Sequence, residues 1–490
     1  MNILKFKLLI IVFASTFISS FAGNDSGYNI KIKLNGIKDS LCYLANYFGD
    51  KQYIKDSARS DASGIYVFKG TEKLPGGIYL FVFPGRKFFE MVVDKEQDFT
   101  METDTGNAIK NMKIKGSVDN KLFYDYLNFV TEKGKEVEAL KPIMSSKNKD
   151  SVKTAKAKII VIDSLVVNYK LDYIKKHPET MLAKVFAAAE DPKIPEIPTL
   201  PNGRKDSTFA YRYYKSHFFD KVDFSDDRIL RTPVFHGKLK QYIGAELTLQ
   251  TPDSVIKEAD YLVEKARSNK EMFKYVVWYI TNTYENSNIM GMDAVFVHMV
   301  NNYYTKDQAT WVDSVNLYKI QERARILEPI LIGKPAPYVI LQDTAGKWKS
   351  LYDVKAKYTL LFFWDPDCGH CQKTVPKLVD FYNKNKAKYD LEVFGANTAV
   401  EEEKWKKFIR DKDLKWPNVA DIKTQNNFRH EYDVSSTPQL FLLDKDKKII
   451  AKKLDVETLE QFLKHLNHED ANDPNKIFKQ EPIDDHPFDK

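Results

Sequence analysis

Leu360-Leu361-Phe362-Phe363-Trp364-Asp365-Pro366-Asp367-Cys368-Gly369-His370-Cys371 is an apolar run that ends in an acidic, proline-broken turn and then presents two cysteines with two residues between them. A continuous apolar run predicts a strand buried on both faces. Downstream, Val375, Leu378, Val379 and Tyr382 recur at helical spacing, so a helix follows the turn. Cys368 therefore falls at a strand-to-helix junction, where the helix N-terminus favours negative charge. That lowers a thiol's pKa and makes Cys368 the attacking thiolate. Cys371, one turn further on, is spaced to resolve the mixed disulfide that Cys368 forms. A protonated His370 would stabilise the thiolate, and with it the reduced form. Asp365 and Asp367 act in the opposite sense, because like charge disfavours a thiolate.

Other chemistries fit the pair less well. A zinc site needs four ligands, and only Cys42 and scattered histidines remain to complete one. Covalent haem needs a histidine directly after the second cysteine, where Gln372 stands. A structural disulfide is an alternative in an exported chain. So short a loop at a helix start suits a reactive bond better.

Working outward, Ile332-Gly333-Lys334-Pro335-Ala336-Pro337 opens a region whose order is strand (Tyr358 to Trp364), helix, strand (Leu391 to Ala396), helices, strand (Gln439 to Leu443), strand (Ile449 to Ala451) and helix (Val456 to Leu466). That order predicts an α/β sheet. Near the other end, Ile30, Ile32 and Leu34 alternate with polar residues up to Asn35-Gly36. Short runs follow at Ile65 to Phe68, Ile78 to Phe83 and Phe88 to Val93, broken by glycine and proline. Strands this short must bury one face against a second sheet, which predicts a small β-sandwich.

Between these regions the period is helical, as in Leu122, Phe123, Tyr126, Leu127 and Val130, or Phe273, Val276, Val277 and Ile280. Pro192, Pro195, Pro198 and Pro201 recur every third residue, the repeat of polyproline II. We read them as a stiff connector rather than a docking ridge. The aromatics of Tyr211 to Phe224 read as core, Cys42 as a small buried side chain, and His298 as a hydrogen-bonded core residue.

Lys5 and Lys7, the apolar stretch Leu8 to Phe17 and the small residues Ser20 and Ala22 form the pattern of a cleaved signal peptide. No stretch reaches the ~20 apolar residues of a membrane span, so no stable transmembrane anchor is expected. The acidic, proline-bearing tail reads as disordered. The chain of 490 residues is 43% hydrophobic and 29% charged, a globular composition that excludes disordered, fibrous and multispanning classes. A formal charge of +7 on so long a chain is too thin to imply nucleic acid. Three cysteines are too few for a disulfide scaffold, which leaves the pair free for chemistry.

Several of these residues also carry a family likeness. Phe362 to Trp364, Cys368-Gly369-His370-Cys371, Pro376 and Thr437-Pro438 resemble the thioredoxin-fold domain of TlpA/ResA-like thiol–disulfide oxidoreductases, over residues 332 to 467. The likeness implies that Pro438 is a cis-proline beside the cysteines and that Thr437, Pro438 and Trp364 meet the substrate polypeptide. Two departures stand out: the acid of thioredoxin-like members is replaced by Phe362, and that of ResA-like members by Thr374. Neither usual proton carrier for Cys371 is present. Asp365 stands where a peroxiredoxin has threonine. Residues 27 to 115 resemble the small β-domain preceding thioredoxin domains in exported Bacteroidetes proteins. The stretches Tyr213 to Phe235 and Met290 to His298 resemble a helical domain of unknown function from the same proteins.

The expectation is a multidomain chain: signal peptide 1–22, β-sandwich 23–116, all-α region 117–330, α/β thioredoxin fold 331–468 and tail 469–490. Its expected activity is an exported thiol–disulfide oxidoreductase of the periplasm or cell envelope. Cys368 and Cys371 are the catalytic pair, modulated by His370, Gly369 and Asp367. No metal and no cofactor beyond the Cys368–Cys371 disulfide is expected. The expected partners are envelope protein thiols and disulfides, with an upstream redox partner. The rival reading is an envelope binding or assembly module whose thioredoxin domain serves mainly as a docking surface.

Overall fold

The computed structural model describes residues 27–467, so the expected signal peptide and the far tail lie outside the described residues. The chain forms two compact units that part between Tyr242 and Ile243, inside the helical stretch.

The first unit opens with eight strands: β1 (Tyr28–Asn35), β2 (Leu41–Phe48), β3 (Lys51–Arg59), β4 (Ile65–Gly70), β5 (Gly77–Phe83), β6 (Lys87–Val93), β7 (Asp98–Asp104) and β8 (Lys113–Lys115). They form two four-stranded sheets, ordered β4-β1-β7-β8 and β3-β2-β5-β6. Ile30, Ile32 and Leu34 point into a core shared with Leu44, Phe81 and Met91 of the other sheet, which is the sandwich the alternation predicts. Cys42 is fully buried there. Five helices follow: α1 (Val118–Met144), α2 (Lys149–Lys176), α3 (Met181–Ala188), α4 (Phe209–His217) and α5 (Pro233–Ile243). The Asn120 side chain bonds both the N–H (2.8 Å) and the C=O (2.7 Å) of Val92, fastening α1 to β6. Tyr214, Phe218, Phe219 and Phe224 are core, as their density suggests, whereas Tyr211 departs from that reading and is 39% exposed.

The second unit begins with α6 (Pro252–Ala266), α7 (Lys270–Glu285), α8 (Asp293–Tyr303) and α9 (Ser314–Leu327). Val276, Val277 and Ile280 are fully buried, on the face their spacing predicts. His298 Nε2 lies 2.7 Å from Asp260 Oδ1. The remainder is β9 (Ile340–Asp343), β10 (Trp348–Ser350), β11 (Tyr358–Trp364), α10 (Gly369–Tyr389), β12 (Leu391–Asn397), α11 (Glu402–Asp411), β13 (Asn418–Ala420), α12 (Phe428–Glu431), β14 (Gln439–Leu443), β15 (Ile449–Lys452) and α13 (Val456–Leu466). Its seven-stranded sheet runs β10-β9-β13-β12-β11-β14-β15, with β11 parallel to β12 and antiparallel to β14.

Every residue of β11 is buried. Leu360, Phe362 and Trp364 join the cluster formed with α10 and α13. Phe363 faces the other way and packs on Phe428, Tyr432 and Phe441. Two polar links join α8 and α9 to β15 and to the connection before β14. Lys452 donates to Asp293 and, at 2.6 Å, to the carbonyl of Ile330. Arg323 pairs with Asp433. Asp293 is 7% exposed and Lys452 3%.

Candidate active site

The site grows from the end of β11. The carbonyl of Trp364 accepts from Thr398 N at 2.8 Å, and Asp365 Oδ1 accepts from Asp367 N at 2.8 Å. These bonds shape the turn that delivers Cys368 as the residue capping α10. The helix runs on through Pro376 to Tyr389.

All three cysteines are free thiols, and the two in the motif occupy unlike surroundings. Cys368 is partly exposed, whereas Cys371 is fully buried. Cys368 Sγ lies 3.2 Å from the Thr437 carbonyl oxygen, to which the thiol donates. Partial burial works against the Cys368 thiolate, but hydrogen bonds from the Thr437 side chain, from the Cys371 backbone and thiol and from the His370 backbone outweigh it, and its pKa falls below the ordinary thiol value. Burial drives Cys371 the other way, to about 12, and its neighbour Cys368 adds to the rise. Low and high thiol pKa values on adjacent turns give one nucleophile and one protonated reserve. Alkylation should show this directly. With iodoacetamide, Cys368 should label along a titration curve centred below that of an ordinary thiol, and Cys371 should stay silent until the pH approaches 12. Mass spectrometry of the labelled peptides over a pH series checks it; equal labelling of both cysteines at neutral pH would contradict the assignment.

The other expected residues divide. Thr437 and Pro438 lie beside Cys368, and the peptide bond between them is cis. His370 is exposed and contributes its backbone N–H to the sulfur. Gly369 opens α10. Asp367 is exposed, and Lys404 reaches its Oδ2 at 2.7 Å. That ammonium offsets the like-charge effect expected of Asp367 on the thiolate. Trp364 is corrected: it is 0% exposed and packs on Phe408 with ring centroids 5.0 Å apart, so it supports the site from beneath and meets no docked chain. Phe362, at the thioredoxin acid position, is also fully buried. Lys404, thirty-seven residues from its partner Asp367, has no local signal that could have flagged it. Among the described residues, no group of three or more His, Cys, Asp or Glu is placed to hold a metal. No described helix is long and apolar enough to cross a membrane.

Residues 332–452 match the AhpC/TSA family, 143–328 a domain of unknown function (DUF5106) and 28–123 a second one (DUF4369). Thiol-disulfide oxidoreductase ResA of Bacillus cereus is 34% identical over 139 residues, covering 28% of this chain and 79% of that protein. ResA of Bacillus subtilis is 31% identical over 123 residues, covering 25% and 67%. A solved "domain of possible thiol-disulfide isomerase" from Cytophaga hutchinsonii is 48% identical with a TM-score of 0.27, covering 29% of this chain and 95% of that one.

Proposed function

Because the chain belongs to the ResA-like thiol–disulfide oxidoreductases through its C-terminal thioredoxin-fold domain, we propose that it exchanges disulfides with protein substrates through Cys368 and Cys371. The observation that carries this reading is the unequal pair itself. A partly exposed, activated Cys368 lies 3.2 Å from the Thr437 carbonyl, with a buried Cys371 one turn behind it.

In the reducing direction the Cys368 thiolate attacks a substrate disulfide, forming a mixed disulfide and releasing one substrate thiolate. Cys371 gives up its proton and attacks Cys368 Sγ. The second substrate thiolate leaves, two electrons have passed to the substrate, and Cys368–Cys371 is a disulfide. The reverse sequence oxidises a substrate dithiol. A lowered Cys368 pKa stabilises the reduced protein and so makes its disulfide the stronger oxidant. Asp367, paired with Lys404, and the backbone of Gly369 and His370 tune that balance, and Thr437-Pro438 receives the polypeptide.

The start of the chain supports an exported protein of the periplasm or cell envelope, where an upstream dithiol or disulfide partner resets the pair. Insulin reduction driven by dithiothreitol, run beside oxidation of a dithiol peptide, tests the proposal. Catalysis in at least one direction is expected. Absence of both, with Cys368 and Cys371 shown by mass to cycle between dithiol and disulfide, overturns it.

A further inference from the structure

Beside the reactive pair, within the unit formed by Ile243–Lys490, lies a cavity of about 490 Å³ with Pro438 in its wall. Pro438 directly follows the residue whose carbonyl lies 3.2 Å from Cys368 Sγ. A polypeptide joined to Cys368 and running past Pro438 would bring a side chain near its own cysteine to the cavity wall, since an extended residue advances about 3.3 Å.

The lining carries four carboxylates, Glu285, Asp293, Asp433 and Asp455, and three cations, Arg323, Lys452 and Lys453. Each cation is already engaged. Arg323 pairs with Asp433, Lys452 with Asp293 and the Ile330 carbonyl, and Lys453 donates to the Ser287 carbonyl at 3.1 Å. The acceptors are not used up. Asp293, though buried, keeps Oδ1 without a hydrogen-bond partner. Asp455 accepts from Thr458, through its backbone N–H at 2.6 Å and its side chain, and makes no ion pair within 4.0 Å among the described residues. Glu285 is exposed and makes no ion pair among the described residues. Beyond the two ion pairs, Glu285 and Asp455 stand against one further cation, Lys453, so the lining carries one more carboxylate than cations.

We propose that this cavity is a specificity subsite for a lysine or arginine side chain of the substrate polypeptide, one to three residues from the disulfide at Cys368. It rests on the exchange reaction proposed above and adds to it a substrate class, proteins with a basic residue beside the reactive cysteine. The α7–α9 segment supplies one wall through Glu285, Asp293 and Arg323, so selection falls to a part of the chain outside the thioredoxin sheet.

The test uses the full-length protein and short peptides with one cysteine capped by 2-mercaptoethanol, the neighbouring residue being arginine, norleucine or glutamate. Dithiothreitol returns the Cys368–Cys371 disulfide to the dithiol, and reduction is followed by release of the cap above the rate without protein. The arginine peptide should exceed the norleucine peptide in kcat/KM by about fivefold at low ionic strength, as an ion pair near the surface allows. Glu285→Lys should bring that ratio towards one, and so should salt, which needs no variant. A ratio of one in the unaltered protein, or a preference for glutamate, overturns the subsite while leaving the exchange reaction standing. So does an arginine preference that both Glu285→Lys and salt leave intact. Failure to reduce any of the peptides overturns the subsite, and joined with failure to oxidise a dithiol peptide it overturns the exchange reading as well.

Discussion

Cys371→Ser is expected to turn the protein from an exchanger into a trap, whereas Cys368→Ser is expected to silence it. Against partial burial, hydrogen bonds hold the Cys368 thiol below its ordinary value, while burial pushes Cys371 up to about 12. At neutral pH Cys371 is therefore protonated, and it is also fully buried, so it cannot stand in for Cys368 as the attacker. With Cys371→Ser, attack by Cys368 proceeds, the first substrate thiolate leaves, and no second thiol follows to displace the other half. Insulin turnover should fall to background in both variants. Only Cys371→Ser should accumulate protein-linked adducts that dithiothreitol releases. Adducts on Cys368→Ser but not on Cys371→Ser would reverse the assignment.

The largest expected effect on stability lies at Asp293. Removing its carboxylate by Asp293→Ala leaves the Lys452 ammonium, 3% exposed, with the Ile330 carbonyl as its remaining partner. Breaking a buried pair from one side costs about 3–5 kcal/mol, because the surviving charge is still out of water. Urea unfolding should show that loss of free energy as a lower midpoint at unchanged slope. The double variant Asp293→Leu, Lys452→Met should recover most of the loss, since an apolar pair of similar volume carries no desolvation penalty. The pH dependence has a definite sign. Burial holds the Lys452 amine below its ordinary value of 10.5 in the folded protein. Between the folded and unfolded values the unfolded chain binds more protons, so stability rises with pH there. Without Asp293 the folded value drops further and the window widens downward, so the deficit of Asp293→Ala should shrink as pH is raised towards 10.5. A deficit independent of pH, or a double variant no better than the single, would show that the pair does not carry this load.

What the sequence could tell depended on how local each feature is. The central strand and the last helix run over Tyr358–Trp364 and Val456–Leu466, as the apolar run and the helical spacing indicate, because burial on known faces imposes those patterns. The strands Ile340–Asp343 and Trp348–Ser350, the last two on one side of the sheet, were not legible. They are short, and Ile340 and Trp348 are exposed, so no alternation marks them. The reactive pair was legible because a strand, a turn and a helix start lie within a dozen residues. Trp364 shows a reading at odds with itself. A strand buried on both faces cannot also present its last side chain to a substrate, and here burial prevailed. The cavity and its ion pairs were out of reach for another reason. Lys452 and Asp293 stand 159 residues apart, and neither position carries any mark of the other.

The Lys452–Asp293 pair also bears on modularity. A thioredoxin fold is readily imagined as a portable cassette, cut at Gly333 and joined to new neighbours. Here such an excision would remove Asp293 together with the carbonyl of Ile330, and the cassette would carry an ammonium built for burial with nothing to meet it. The transferable piece by this measure begins near Ile243, where the compact unit begins, and takes its helices along. Any lineage that shed those helices would have had to change Lys452 first, or at the same step.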